Sequence, residues 1–420
     1  MTQHKAPATE VVALTSYQKF VVLLLALLQF TVVLDFMILS PLGDILMKTI
    51  GMTTKQFGTV VSAYAFSAGI SGILAAGFAD KFDRKKLLLF FYVGFIIGTV
   101  FCGLSNSYEA LFIARIVTGV FGGVIGSISM AIITDIFSIQ QRGRVMGFVQ
   151  MAFSASQILG IPLGLFLADK FSWHATFFMV VILAVLIGIA TVIKLKPLTG
   201  HLSIQNDRNP LQHFLHTVKK KEYLIGFLAT AMLSMGGFML MPFTSAFLVN
   251  NVLIPQSQLP LIFLFTGFSS IIIMPLIGRI SDKVDKFKLF AIGSLLAIVM
   301  ILIYTNLSPV PIWLVIIINM VLFMGIMSRM VPATALNSAV PGMADRGAYM
   351  SINASLQQMA GGLAAVFAGL VVVQPAKSAP IENFNILGLV MVGLILWCIY
   401  LMGRVSKLLK QRAASAQPGT

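Results

Sequence analysis

Long apolar runs alternate with short polar segments along almost the whole chain, and their lengths are those of membrane spans. About 20 apolar residues suffice to cross a hydrocarbon core of roughly 30 Å. Runs of that order occur at 20–46, 57–79, 87–104, 110–137, 145–167 and 176–193, then again at 223–249, 259–280, 289–304, 311–336, 348–373 and 384–402. The pattern predicts an all-α membrane protein of twelve transmembrane helices in two six-helix halves, 1–195 and 222–420, joined by a polar, basic linker at 196–221. In the linker, Asn209 and Pro210 precede Leu211, Phe214, Leu215 and Val218, an arrangement that predicts a short amphipathic helix lying on the membrane surface; an ordinary flexible linker is the other reading.

Composition agrees: 58% of the 420 residues are hydrophobic and 10% charged, which excludes a water-soluble surface for most of the chain. The net charge of +15 raises the question of nucleic acid, and the placement of the basic residues answers it. With both termini inside, the loops facing the cytoplasm hold nearly all the Lys and Arg, while the outer segments hold Lys48, Lys55, Lys170 and Lys377. That asymmetry is the positive-inside rule, so the excess orients the chain and implies no DNA or RNA partner. The first 17 residues lack the basic start, apolar core and cleavage site of a signal peptide, so the first span is expected to be retained. Cys102 and Cys398 fall inside spans, where a buried thiol is the ordinary occupant.

The two halves repeat each other. Asp80, Lys81, Asp83, Arg84 and Lys86, after the second span, return at one constant spacing as Asp282, Lys283, Asp285, Lys286 and Lys288 after the eighth. Arg142, Gly143 and Met146 likewise echo in Arg346, Gly347 and Met350. The first loop resembles the signature G-x-x-x-D-R/K-x-G-R/K-R/K of the major facilitator superfamily, matched at Asp80, Lys81, Arg84 and Lys85, with Ala76 and Asp83 in place of its glycines; the second copy keeps Gly278 and carries Asp285. The resemblance implies that Asp80, Arg84 and Asp135 form a charge relay holding helix ends together, where pairs near a low-dielectric boundary count for more than in water. Asp282 and Lys286 would serve the second half, which has no acid near Asn337 to match Asp135, so its lock is expected to be weaker.

Arg115, in Arg115-Ile-Val-Thr-Gly119-Val-Phe-Gly122-Gly123, resembles the superfamily's fourth-span motif, whose glycines permit close helix contact. A guanidinium inside a span is costly to leave alone. Asp35, in Leu34-Asp35-Phe36-Met37, resembles the first-span motif of the drug/proton antiporter branches and is the one acid deep within a span. At about 1.5 Å per residue, Asp35 lies about 14 Å below Asp44 and Arg115 about 9 Å below Glu109, so the depths suit a pair or a shared cavity. A purely structural ion pair is the alternative. Against it, the corresponding positions of the second half lie near Gly237 and Asn319, so the charges are confined to one half.

In the fifth span, Ser156-Gln157-Ile-Leu-Gly160-Ile-Pro162-Leu-Gly164 resembles the antiporter motif in part and looks like the drug and sugar efflux members; a helix kink without directional meaning fits equally well. Phe36, Met37, Gln150, Gln157, Met239, Met241, Phe243, Asn319, Asn353 and Gln357 are candidates to line a cavity for a moderately apolar solute, although Met and Phe in spans more often simply pack. Arg329, in the tenth span, is expected to bond backbone carbonyls or reach the interface, with contact to an anionic solute as the alternative.

The resemblance implies a proton-coupled secondary transporter of the bacterial inner membrane, monomeric, surrounded by lipid and without cofactor or metal. Its expected action is efflux of a small drug-like or sugar-like molecule by antiport, with proton-coupled uptake or a non-transporting receptor of the same fold as competitors. An enzyme is not expected: the five histidines all lie outside the spans, and no nucleotide-binding loop is present.

Overall fold

The structure is a computed structural model and describes residues 13–76, 78–203, 216–342 and 345–415. Twelve of its helices are long and apolar enough to cross a membrane: α1 (Ser16–Ile38), α2 (Thr54–Ala75), α3 (Arg84–Leu104), α4 (Tyr108–Ile136), α5 (Gln140–Lys170), α6 (Trp173–Lys194), α7 (Lys221–Asn250), α8 (Gln256–Ser281), α9 (Lys286–Tyr304), α10 (Ile312–Ser338), α11 (Arg346–Val371) and α12 (Phe384–Arg412). In hydrocarbon every backbone N–H and C=O must be bonded within the chain, which leaves the helix as the economical choice for such runs. Polar residues stop and start them. Thr15 and Gln18 form a reciprocal capping box ahead of α1, and Ser107 Oγ accepts from Ala110 N–H at the start of α4.

Two of the expected spans are interrupted, at matching places in the two halves. The run 20–46 breaks after Ile38 at Leu39–Leu42, which contains Pro41, and resumes as a short helix, Gly43–Ile50, closed by Gly51 at φ +77°. The seventh span likewise runs Lys221–Phe238, passes through a tight turn Met241–Phe243 that contains Pro242, and resumes at Thr244–Asn250. Proline supplies no N–H and crowds the preceding turn, so an apolar run containing it need not be one helix.

The halves repeat their packing. In the first, α1 lies on α5, α2 on α4, α3 on α4 and α6; in the second, α7 lies on α11, α8 on α10, α9 on α10 and α12. The halves meet along two helix pairs, α2 with α11 and α5 with α8. Glycines bring the first pair together: a Cβ on Gly58 would fall 2.6 Å from Ala365 O, and one on Gly369 would fall 2.7 Å from Thr54 O. The fourth-span glycines act similarly, since a Cβ on Gly119 would lie 2.5 Å from Tyr64 O.

Twelve spans are an even number, so the start of α1 and the end of α12 lie at one face of the bundle. The linker's start is tied to that face by Leu198, which accepts from Arg84 N–H at 3.2 Å and donates to Asp83 Oδ1 at 3.0 Å. The amphipathic helix expected around 209–218 falls largely outside the described residues; 216–219 are helical.

Candidate functional site

Asp35 and Arg115 form a buried ion pair. Asp35 Oδ2 stands 2.7 Å from Arg115 Nη1, with side chains 0% and 1% exposed. The same nitrogen donates to Asp35 O at 3.2 Å, and the guanidinium lies over the Tyr64 ring with Cζ 4.5 Å from its centroid. Thr99 Oγ1 is 3.4 Å from Asp35 Oδ1 and 2.9 Å from Phe95 O. Four helices of the first half thus contribute: α1, α2, α3 and α4. Taking two charges out of water costs several kcal/mol per ion, and only close pairing with further hydrogen bonds offsets it.

A cavity of about 170 Å³ opens between the halves. Of the residues singled out in the sequence, Met37, Gln157, Met241, Asn319 and Gln357 line it. Its polar groups are few and mostly occupied: Gln157 Oε1 accepts from Ser270 Oγ at 3.3 Å, and Asn319 Nδ2 donates to Thr266 Oγ1 at 2.8 Å. Phe36 borders a smaller space beside it, packing on Tyr64 at 5.3 Å and on Phe238 at 6.1 Å between ring centroids. Aromatic contact therefore runs from the guanidinium through Tyr64, Phe36 and Phe238 to the cavity wall.

Other candidates lie elsewhere. Gln150 is exposed. Met239 and Phe243 are buried without lining this cavity, Phe243 packing edge-on against Phe57, and Asn353 is buried in α11 with Oδ1 unbonded. Sequence reasoning missed Phe153, Phe238, Thr266, Tyr304 and Phe323 on the wall. The one available signal was Pro242, whose break in α7 brings Phe238 and Met241 to the cavity.

The fifth span is irregular where its motif is. Ser156–Gly160 form a π turn in which Ile161 N–H bonds Ser156 O, five residues back, directly before Pro162. Phe153, Gln157 and Ile161, four residues apart, all face the cavity. In a regular helix such a row drifts about 40° per step, and the wider turn reduces the drift.

At the face bearing the start of α1, Arg84 Nε stands 3.3 Å from Asp135 Oδ2, and Arg84 Nη1 donates to Ala79 O at 3.1 Å. The side chains of Asp80 and Asp282 lie outside the described part of the structure. Lys286 opens α9, half-buried, after Asp285, which caps the helix by accepting from Lys288 N–H at 3.0 Å. The second half also holds a charge cluster that sequence reasoning did not find: Asp345 accepts from Tyr223 OH at 2.7 Å and pairs with Lys220. Asn337, in the place of Asp135, accepts from Tyr349 OH at 2.6 Å and donates to Gly226 O at 3.1 Å. At the opposite face, Asp44, Lys48 and Asn250 join the two halves.

Arg329 differs from its expectation. It is 1% exposed, and among the described residues none of its three nitrogens meets an oxygen acceptor, backbone carbonyls included; the Cys398 thiol is its hydrogen-bonding neighbour.

Comparison with known proteins places this geometry. The profile of the Major Facilitator Superfamily matches residues 25–365. The chain is 28% identical over 270 residues to the uncharacterized MFS-type transporter YceJ of Bacillus subtilis (strain 168), covering 64% of this chain and 68% of that protein. It is 25% identical over 285 residues to a probable sugar efflux transporter of Helicobacter pylori (strain P12), covering 66% of this chain and 70% of that one. Among solved structures, a bacterial homolog of the human lysosomal transporter Spinster, inward-facing and unoccupied, superposes with a TM-score of 0.76 at 17% identity, over 95% of this chain and 99% of that chain.

Proposed function

The chain belongs to the Major Facilitator Superfamily, and we propose that within it this protein is a proton-coupled antiporter that expels a small, moderately apolar, drug-like or sugar-like solute. The observation that carries the reading is the buried Asp35–Arg115 pair, with Nη1 and Oδ2 2.7 Å apart and confined to one half. An ionisable residue inside a span is a functional feature by default. When Asp35 takes a proton the charge pair is lost, but Arg115 keeps the Asp35 carbonyl and the Tyr64 face as contacts. Protonation therefore weakens the α1–α4 contact, leaving the guanidinium a carbonyl and a ring in place of a charge. Phe36 and Met37 follow Asp35 directly and reach the cavity wall, so a shift of α1 alters the solute's surroundings. The halves would rock along the α2–α11 and α5–α8 seams.

The similarity to a sugar efflux protein and the partial antiporter motif support the outward direction. The basic face bearing the termini is the cytoplasmic one on this reading, in a bacterial inner membrane, and one chain suffices for the cycle.

The test is transport by the full chain in liposomes with an imposed pH gradient. A panel of drugs and sugars should move against the proton gradient in the wild type, and Asp35→Asn should abolish the dependence on pH. Gradient-driven exchange that persists in Asp35→Asn would remove Asp35 from coupling, and accumulation in place of expulsion would make the protein an uptake symporter.

A further inference from the structure

Arg115 and Arg329 are equally buried, yet only the first has an acid. Arg329 sits in α10 with no oxygen acceptor at Nε, Nη1 or Nη2 among the described residues. Its surroundings offer a thiol and a ring: Cys398, whose Sγ lies 3.7 Å from Ala229 O, and Phe290, whose centroid is 5.9 Å from the guanidinium carbon. Neither supplies a negative charge, and no carboxylate among the described residues pairs with it. An unpaired buried charge costs far more than an unpaired hydroxyl, so the position makes sense only if something completes it.

The space for that something is present. Arg329 borders a void of about 20 Å³ together with Ser234, Gly237, Phe238, Met330 and Gln357. Ser234 Oγ, also buried, has no hydrogen-bond partner among the described residues. The nook therefore presents an O–H and a guanidinium edge and is rich in donors. A void this small can hold one water, which would satisfy a hydrogen bond but not a full charge. It is also not isolated: Gly237, Phe238, Met330 and Gln357 line the 170 Å³ cavity as well. Planar guanidinium edges suit carboxylates and similar oxyanions.

We propose that Arg329 and Ser234 form an anion subsite for the solute, whose carboxylate or comparable oxyanion enters this nook while its apolar body fills the Met- and Phe-lined cavity. The proposal rests on the transporter reading for the origin of its ligand and narrows the solute to an anionic amphiphile. It also gives the two buried arginines different roles, since Arg115 is neutralised within the protein and Arg329 is neutralised by cargo.

The experiment measures equilibrium binding by calorimetry on the full chain in detergent, with three matched probes: 1-naphthaleneacetate, its primary amide and 1-naphthylethylamine. The acid should bind at least about tenfold more tightly than the amide, the ordinary value of a charge-assisted hydrogen bond, and the amine should bind worst. Arg329→Gln and Arg329→Met should both erase the preference for the acid, and Ser234→Ala should reduce it. The unliganded Arg329→Met protein should melt no lower than the wild type, because it loses an unpaired buried charge; an arginine that merely braced the fold would lower the melting temperature. Acid and amide binding alike, failure of both to bind included, would overturn the subsite, and so would a preference that survives both Arg329 variants. Binding here needs neither membrane nor gradient, so absent flux in liposomes would defeat the transporter reading while leaving the subsite standing.

Discussion

Asn250 Nδ2 stands 2.6 Å from Asp44 Oδ1, and the two residues belong to different halves. Lys48 closes a triangle, 2.8 Å from Asp44 Oδ2 and 3.0 Å from Asn250 Oδ1. Close by, Ser245 Oγ donates to Ser40 O at 3.2 Å, again from one half to the other. These polar links between the halves lie together at the face away from the start of α1.

Asn250→Ala removes both the donor to Asp44 and the acceptor for Lys48 but leaves the Lys48–Asp44 pair within the first half, so at least one hydrogen bond across the halves is lost without replacement. One net hydrogen bond to a charged group is about 1.5–3 kcal/mol, so the population open at this face should rise about tenfold or more. A cysteine placed at Ser40, where the native residue is buried, should react correspondingly faster with a membrane-impermeant maleimide. An unchanged labelling rate would show that the triangle does not restrain opening.

The Asp35–Arg115 pair predicts a strongly non-additive cycle. Each single change, Asp35→Asn or Arg115→Met, leaves a buried partner behind and should destabilise the detergent-solubilised protein by about 3–5 kcal/mol. The double variant should lose markedly less than the sum of the two. Additive thermal shifts would mean that the two groups do not interact.

Two glycines should respond in opposite ways. Gly58→Val drives a side chain into Ala365 O, which a Cβ already meets at 2.6 Å, and overpacking of this kind costs about 1–3 kcal/mol. A Cβ on Gly237 would meet nothing within 4 Å, and this residue lines both cavities. Gly237→Leu should leave the melting temperature within the range of neutral changes, about 0.5 kcal/mol, yet abolish solute binding. Binding that persists in Gly237→Leu would place the solute elsewhere.

The end of α12 should be insensitive to pH in the neutral range. Lys410 Nζ at 2.9 Å and the Lys288 N–H hold the Asp285 carboxyl below the usual carboxylate range. A depressed pKa in the folded state contributes stability above the unfolded value, and the contribution is lost as pH falls through the folded one. Both side chains are substantially exposed, 70% and 29%, so Lys410→Ala should cost less than about 1 kcal/mol and less still at high salt. A pH dependence of unfolding between about pH 5 and 8 that vanishes in Lys410→Ala would contradict this.

The spans were legible because lipid imposes a length and a composition that a single sequence displays directly. The ion pair was legible for the same reason: within hydrocarbon, Asp35 and Arg115 each demand a partner, and the pitch of a helix sets their depths. The breaks at Pro41 and Pro242 were not foreseen, because the residues after them are apolar enough to read as a continuation of the same run. Phe238 could not be assigned to the cavity, since a phenyl ring facing lipid and one facing a solute have the same sequence signature. Asp345 and Lys220 lie in different loops, and only the folded arrangement brings them together. Arg329 was expected to bond carbonyls or reach the interface; that its neighbours would bury it without an oxygen acceptor was not readable.

The halves copy each other's helix packing without copying each other's buried charge. If the first half is the one that senses the ion gradient and the second the one that grips cargo, the two can diverge separately. Substitutions around α7, α10 and α11 could then exchange one molecule for another while the driving force stays untouched, so specificity could drift within a lineage without loss of energisation.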